Sequence, residues 1–205
     1  MCGIFSILNN IYSDEIVKKN FNKSQGRGPE NSQIINVNNN ILGFHRLAIN
    51  GYNDESSNQP FNIEGIYLIC NGEIYNWKKL YKMIDVKPTT KSDCEIIIHM
   101  YKKFGIEQTL NMLDGVFAFL LYDTNRQRIF VSRDVYGVRP LFLKKILSYS
   151  THHYVREPVY LFASELKSIS DFSKSNNIDI NQFKPGSYMS FMKSNDIFQY
   201  IGEEM

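Results

Sequence analysis

Cysteine is scarce in this sequence, with Cys2, Cys70 and Cys94 the only three among 205 residues. An odd number at such wide spacing excludes a disulfide framework and a Cys-x-x-Cys metal site, so the thiols are expected to be reduced, as in the cytoplasm. Long hydrophobic runs are also missing. The longest, residues 116–122, falls well short of the roughly 20 residues that cross a bilayer. The apolar stretch at the N-terminus ends by Leu8 with no basic segment before it, which excludes a secretory signal. Neither sign of charge dominates, since 23 Lys and Arg against 21 Asp and Glu leave a net charge of +2. The basic residues are scattered, with no stripe interleaved with aromatics, so neither nucleic acid nor a membrane is an expected partner. No internal repeat or interdomain linker is visible. What is present, 43% hydrophobic and 14% aromatic residues, suffices for a single domain over residues 1–205 with a substantial core.

The element pattern is mixed. Residues 3–8 read as a buried strand, and Ser13 can cap a helix through about Lys23 that places Ile16, Val17 and Phe21 on one face. Residues 26–31 form a loop. Strands over 34–37 and 41–49 are joined by Asn38-Asn39-Asn40, since asparagine tolerates the left-handed backbone of a tight turn. A polar loop over 50–60 precedes a strand over 66–70, and Asn76 can cap a short helix to Met83. Ser92 with Glu95 is a capping box that opens a helix from Asp93, expected to stop near Gly105. Strands follow at 116–122, 128–132, 141–144, 159–163 and 187–192. Strands and helices come in separate runs, which predicts an α+β layered domain with antiparallel sheets over an alternating parallel α/β fold.

Four places can carry chemistry. Removal of Met1 would put a thiol and a free α-amine on Cys2; with pKa values of roughly 8.5 and 7.7–8.0, the amine can take a proton while the sulfur attacks. A cysteine by itself is more often a small buried hydrophobe. Asn71-Gly72-Glu73 follows a strand directly, where the Asn71 side-chain amide and the Gly72 backbone N–H can hold an oxyanion, although Asn-Gly alone is more often a turn. Arg46, near a strand end, can grip a carboxylate bidentately, and Asp93 stands in the first turn of a helix, where the helix dipole also favours an acid. Arg27 and the Arg133-Asp134 pair can equally be structural ion partners in loops.

Taken in order and spacing, these segments resemble the class II glutamine amidotransferase domain, most nearly the glutaminase half of asparagine synthetase B. The resemblance is carried by Met-Cys-Gly-Ile-Phe at the start, Arg27-Gly28-Pro29-Glu30, His45-Arg46-Leu47, Gln59-Pro60 and Asn71-Gly72-Glu73-Ile74-Tyr75-Asn76. It continues through Ser92-Asp93-Cys94-Glu95, residues 113–119 (Leu-Asp-Gly-Val-Phe-Ala-Phe), Arg133-Asp134 with Gly137-Val138-Arg139-Pro140-Leu141, and residues 163–167 (Ala-Ser-Glu-Leu-Lys). It implies an N-terminal nucleophile hydrolase fold, a four-layer αββα sandwich. It also implies that L-glutamine is hydrolysed to glutamate and ammonia through a Cys2 thioester, with no metal and no cofactor. Cys2 is then the nucleophile and its amine the base, Asn71 and Gly72 the oxyanion hole, and Arg46 and Asp93 the readers of the α-carboxylate and α-ammonium. Arg27 and the Gln59-Pro60 segment would line or shape the pocket. One charge of each sign beside the reactive amide would select free glutamine over a peptide-bound side chain.

Three features depart from the family pattern. Where asparagine synthetases usually read Arg-His-Arg-Gly-Pro-Asp, this chain reads Gln25-Gly26-Arg27-Gly28-Pro29-Glu30, so that loop's contacts are in question. Residues 148–158 look like a polar excursion between strands, with His152-His153 an exposed pair. No Ser-Gly-Gly-x-Asp-Ser pyrophosphate loop occurs, so no ATP-dependent synthetase domain is expected and ammonia would pass to a synthetase-like partner in trans, a further domain or solvent. A glutamine-binding regulatory or scaffolding domain of poor turnover, and another acyl chemistry on the same fold, stand as alternatives. The intact set Cys2, Arg46, Asn71, Gly72 and Asp93 weighs against the first, and the paired charges against the second.

Overall fold

The computed structural model describes residues 1–149, 156–172 and 180–204. The chain opens with β1 (Gly3–Leu8), α1 (Asp14–Asn22), β2 (Asn31–Val37), β3 (Asn40–Arg46), β4 (Phe61–Ile63) and β5 (Ile66–Ile74). It continues with α2 (Trp77–Ile84), α3 (Ile96–Met112), β6 (Gly115–Asp123), β7 (Arg128–Arg133), β8 (Phe142–Tyr149), β9 (Arg156–Ala163), β10 (Ile180–Gln182), β11 (Tyr188–Ser194) and β12 (Ile197–Glu204). One sheet runs in the order β10-β8-β9-β1-β3-β2 and the other β12-β11-β7-β6-β5-β4, with antiparallel pairing within each.

Strand β1 is buried along its whole length because both of its faces are covered, as its unbroken apolar run requires. Ile4 and Leu8 point between the sheets and pack with Leu42 and Phe44 of β3 against Ile69, Leu120, Tyr122 and Val131 of the facing sheet. Phe5 and Ile7 point outward to Val17 and Phe21 of α1. On the far side, Leu68, Phe119 and Leu121 meet Leu80 and Ile84 of α2 and Ile97, Met100 and Tyr101 of α3. Three apolar layers thus separate four structural ones, which is the αββα sandwich expected.

Several expected boundaries move. The strand thought to end at Cys70 continues to Ile74, because β6 pairs with it through Asn71↔Ala118 and Gly72↔Phe117. Asn71-Gly72 is therefore strand, and the turn reading fails. The helix expected to stop near Gly105 does break there, since Gly105 takes a non-helical φ of 78° and ψ of 177°, and a second helical segment carries α3 on to Met112. The Ser92/Glu95 capping box does not form. Ser92 Oγ accepts from the Cys94 amide, while the Glu95 carboxylate turns to the Thr89 and Thr90 amides. Strand 41–49 ends at Arg46, so Ile49 is exposed, and Ile16 likewise faces solvent. The asparagine hairpin stands: Asn38 and Asn39 both take positive φ and Val37 pairs Asn40. His152-His153 lies outside the described residues.

Candidate active site

Register places the first site residue. Gly3 sits opposite His45, so Cys2 lies beside the end of β3, where the chain turns from Arg46 into Leu47. There the Leu47 amide donates to Cys2 Sγ at 3.3 Å and the thiol lies 3.3 Å from the Leu47 carbonyl. Burial pushes the Cys2 thiol up, against the Leu47 hydrogen bond, the N-terminal ammonium and Arg46, which act to lower it. This environment favours the thiol over the thiolate.

Arg27 locks the same residue from behind. Its Nε donates to the Cys2 carbonyl at 2.8 Å and its guanidinium lies 3.6 Å from Glu165. Directly after it, Gly28 presses on β3 so closely that a Cβ would lie 2.4 Å from the His45 and Arg46 backbone, and Glu30 accepts from the Ala48 amide. The altered Gln25–Glu30 loop is thus seated against both Cys2 and the strand end. Arg27 is not among the residues lining the cleft.

Across the cleft lie Gly72 and Glu73 of β5. No side chain fits at Gly72, where a Cβ would stand 2.7 Å from the Val116 carbonyl and 2.8 Å from Phe117 Cβ. Asn71 shares the face of β5 that carries Ile69, toward the space between the sheets into which Cys2 also packs. Its Nδ2 is buried with no partner among the described residues. A donor left this way costs about 1–3 kcal/mol, and it is what a site awaiting an oxyanion would hold ready. Gln59, which precedes β4, closes the β5 edge: its side chain pairs with the Cys70 amide at 2.6 Å and the Cys70 carbonyl at 3.2 Å, replacing the missing strand.

The two charged candidates lie in one cleft and are both buried. Asp93 accepts from the Ile74 amide at 2.7 Å and from Asn50 Nδ2 at 3.0 Å. Arg46 donates to the carbonyls of Asn50, Gly51 and Asp54 and to Asn58 Oδ1, at 2.6–3.1 Å, so it organises the loop over 50–58 that forms one wall. Glu73 is held at the cleft by Arg139 at 2.7 Å.

The cleft thus unites Cys2, Arg46, Gly72 and Asp93, while Asn71 and Arg27 do not line it and adjoin it through Gly72 and Cys2. The Leu47 amide, Asn50, Glu73 and the other two cysteines also take part, and sequence reasoning passed over them. Leu47 acts through its main chain, which its side-chain type cannot announce; Glu73 was visible as the acid after Asn-Gly. Among the described residues no group of three or more His, Cys, Asp and Glu side chains can hold a metal ion.

A family model described as "Glutamine amidotransferase domain" matches residues 1–202. The chain belongs to the glutamine amidotransferase family. Among curated relatives of the amidotransferase domain, glutamine-hydrolyzing asparagine synthetase of Bos taurus is 44% identical over 148 residues, covering 69% of this chain and 26% of that protein. The Gallus gallus enzyme of the same name is 37% identical over 197 residues, 92% of this chain and 33% of that one. The chain therefore spans about a quarter to a third of the length of these relatives. Glutamine PRPP amidotransferase from B. subtilis shares the fold, with a TM-score of 0.68 at 19% identity over 98% of this chain and 49% of that chain. Among the described residues no helix is long and apolar enough to cross a membrane.

Proposed function

We propose that this amidotransferase domain, one unit over residues 1–205, hydrolyses L-glutamine to L-glutamate and ammonia once Met1 has been removed. The observation that carries the reading is the gathering of Cys2, Arg46, Gly72 and Asp93 around one cleft, next to an Asn71 amide nitrogen that is buried with no partner among the described residues. The α-amine of processed Cys2 takes the thiol proton, and the sulfur attacks the γ-carboxamide carbon. Negative charge collects on the carbonyl oxygen, where Asn71 Nδ2 and the Gly72 N–H donate. Collapse returns the proton to the amide nitrogen, which leaves as ammonia, and a γ-glutamyl thioester remains. Water activated by the same amine then attacks, releasing glutamate and restoring the thiol.

Arg46 and Asp93 read the α-carboxylate and α-ammonium of free glutamine in this scheme. That Asp93 is anchored to Ile74 and Asn50 supports its part, because the charge is fixed before substrate arrives, whereas Arg46 donates its four terminal N–H bonds to the 50–58 loop and offers the α-carboxylate its positive charge and its Nε–H. The acceptor of the ammonia is a synthetase-like partner or further domain, and the compartment is the cytoplasm, in line with three free thiols. Intact mass and a glutaminase assay, with and without Cys2→Ala, test the reading. Expected are loss of Met1 and ammonia release that vanishes in the variant; processed protein that releases none from saturating glutamine overturns it. Equal cleavage of Nα-blocked glutamine would remove Asp93 from its role.

A further inference from the structure

The three cysteines are far apart in sequence, yet Cys2, Cys70 and Cys94 all line one cavity of about 40 Å³. Cys2 is half-buried, whereas Cys70 and Cys94 are 1% and 3% exposed and belong to the core under α2 and α3. Cys70 and Gly72 share a face of β5, and the Cys94 thiol donates to the Gly72 carbonyl at 3.7 Å, which brings it alongside Cys70. Contact with the Cys70 thiol and then burial hold Cys94 well above the ordinary thiol range. Buried cysteines commonly act as small hydrophobes, but packing gives no reason to gather every thiol of the chain around the nucleophile's cleft.

We propose that Cys70 and Cys94 are a resolving pair that rescues Cys2 after oxidation by a hydroperoxide. The proposal rests on the reading of Cys2 as the nucleophile. The Cys2 thiolate attacks the peroxide O–O bond; sulfur gains one oxygen and two electrons pass to the other, which leaves as alcohol or water. The Cys70 thiol attacks the sulfenic sulfur, forming a Cys2–Cys70 disulfide and releasing water. Cys94 then attacks the Cys70 sulfur, breaking that bond, forming Cys70–Cys94 and returning Cys2 as a thiol. In sum, one hydroperoxide is reduced and two thiols are oxidised. The order follows exposure: peroxide reaches the half-buried Cys2 first, while Cys70 and Cys94 are buried, and as Cys94 attacks, its proton passes to the departing Cys2 sulfur. Without resolution the sulfenic acid goes on to sulfinic acid, which dithiothreitol does not reverse.

The test treats the processed chain with graded hydrogen peroxide, then dithiothreitol, following peptide masses and glutaminase activity. The parent chain should lose two hydrogens, show a Cys70–Cys94 disulfide and keep or recover its activity. In Cys70→Ala/Cys94→Ala, measured against its own untreated activity, the Cys2 peptide should gain two oxygens at the same dose, and dithiothreitol should restore nothing. If the double variant fails to fold, Cys94→Ala alone should stop at the Cys2–Cys70 disulfide. A parent chain whose Cys2 takes up two oxygens as readily as the variant's, or that forms no disulfide through Cys70, overturns the proposal. Untreated parent protein without glutaminase activity overturns the nucleophile reading instead, and the peptide masses report the relay independently of turnover.

Discussion

Arg27 Nε donates to the carbonyl oxygen of Cys2 at 2.8 Å, so the backbone of the proposed nucleophile is fastened to a loop 25 residues downstream. The same loop is wedged against the end of β3, where Leu47 holds the sulfur. Orientation of residue 2 is thereby set by two contacts, one on its carbonyl and one on its thiol.

Arg27→Ala should lower kcat for glutamine by about 10- to 100-fold, the cost of a slightly misplaced reacting group, with KM little changed. Lysine at this position has no Nε–H in the same place and should not rescue. Steady-state kinetics decide it; a change confined to KM would make Arg27 a substrate contact.

Asn71→Ala should cost about 100- to 1,000-fold in kcat. Its thermal midpoint should stay level or rise, because the Asn71 amide nitrogen has no partner to lose. Calorimetry beside kinetics checks both halves, and a marked drop in midpoint would show that the amide is structural.

Two glycines in one loop should behave in opposite ways. At Gly28 a Cβ would fall 2.4 Å from three backbone atoms of His45 and Arg46, whereas at Gly26 nothing lies within 4 Å. Gly28→Ala should destabilise by about 1–3 kcal/mol and depress activity, while Gly26→Ala should be silent in urea titrations.

Glu95 should govern acid stability. Burial pushes its carboxyl up, but hydrogen bonds from His99, Thr90 and Thr89 outweigh this and bring it down to about 2. A depressed folded pKa means that the stabilisation is complete above the unfolded value, near 4.5, and is lost as pH falls toward about 2. The urea midpoint of the parent chain should fall through that window. Glu95→Gln should be weaker at neutral pH and nearly flat there; a parallel fall in both would remove Glu95 from the acid transition.

Much of this was legible in the sequence. Gly3–Leu8 reads as a buried strand from its unbroken apolar run, and Asn38-Asn39 reads as a turn from side chains that tolerate left-handed backbone. Strand β12 escapes the sequence reading because its apolar alternation is weak, although Asn195 and Asp196 before it make the same kind of positive-φ turn. The three-residue strands β4 and β10 are too short to carry a period.

The sequence by itself determined most of the elements and the antiparallel α+β class, and its motifs, through the family they resemble, the αββα layering and the residue types of the site, because propensity, periodicity and motif spacing are local. Tertiary structure alone decided that β5 carries on through Asn71-Gly72, that Arg27 grips Cys2 and Arg46 organises a loop, and that three distant thiols share a cavity. Those outcomes depend on strand register and on which buried polar groups find partners, and both are settled only when segments far apart in the chain pack together.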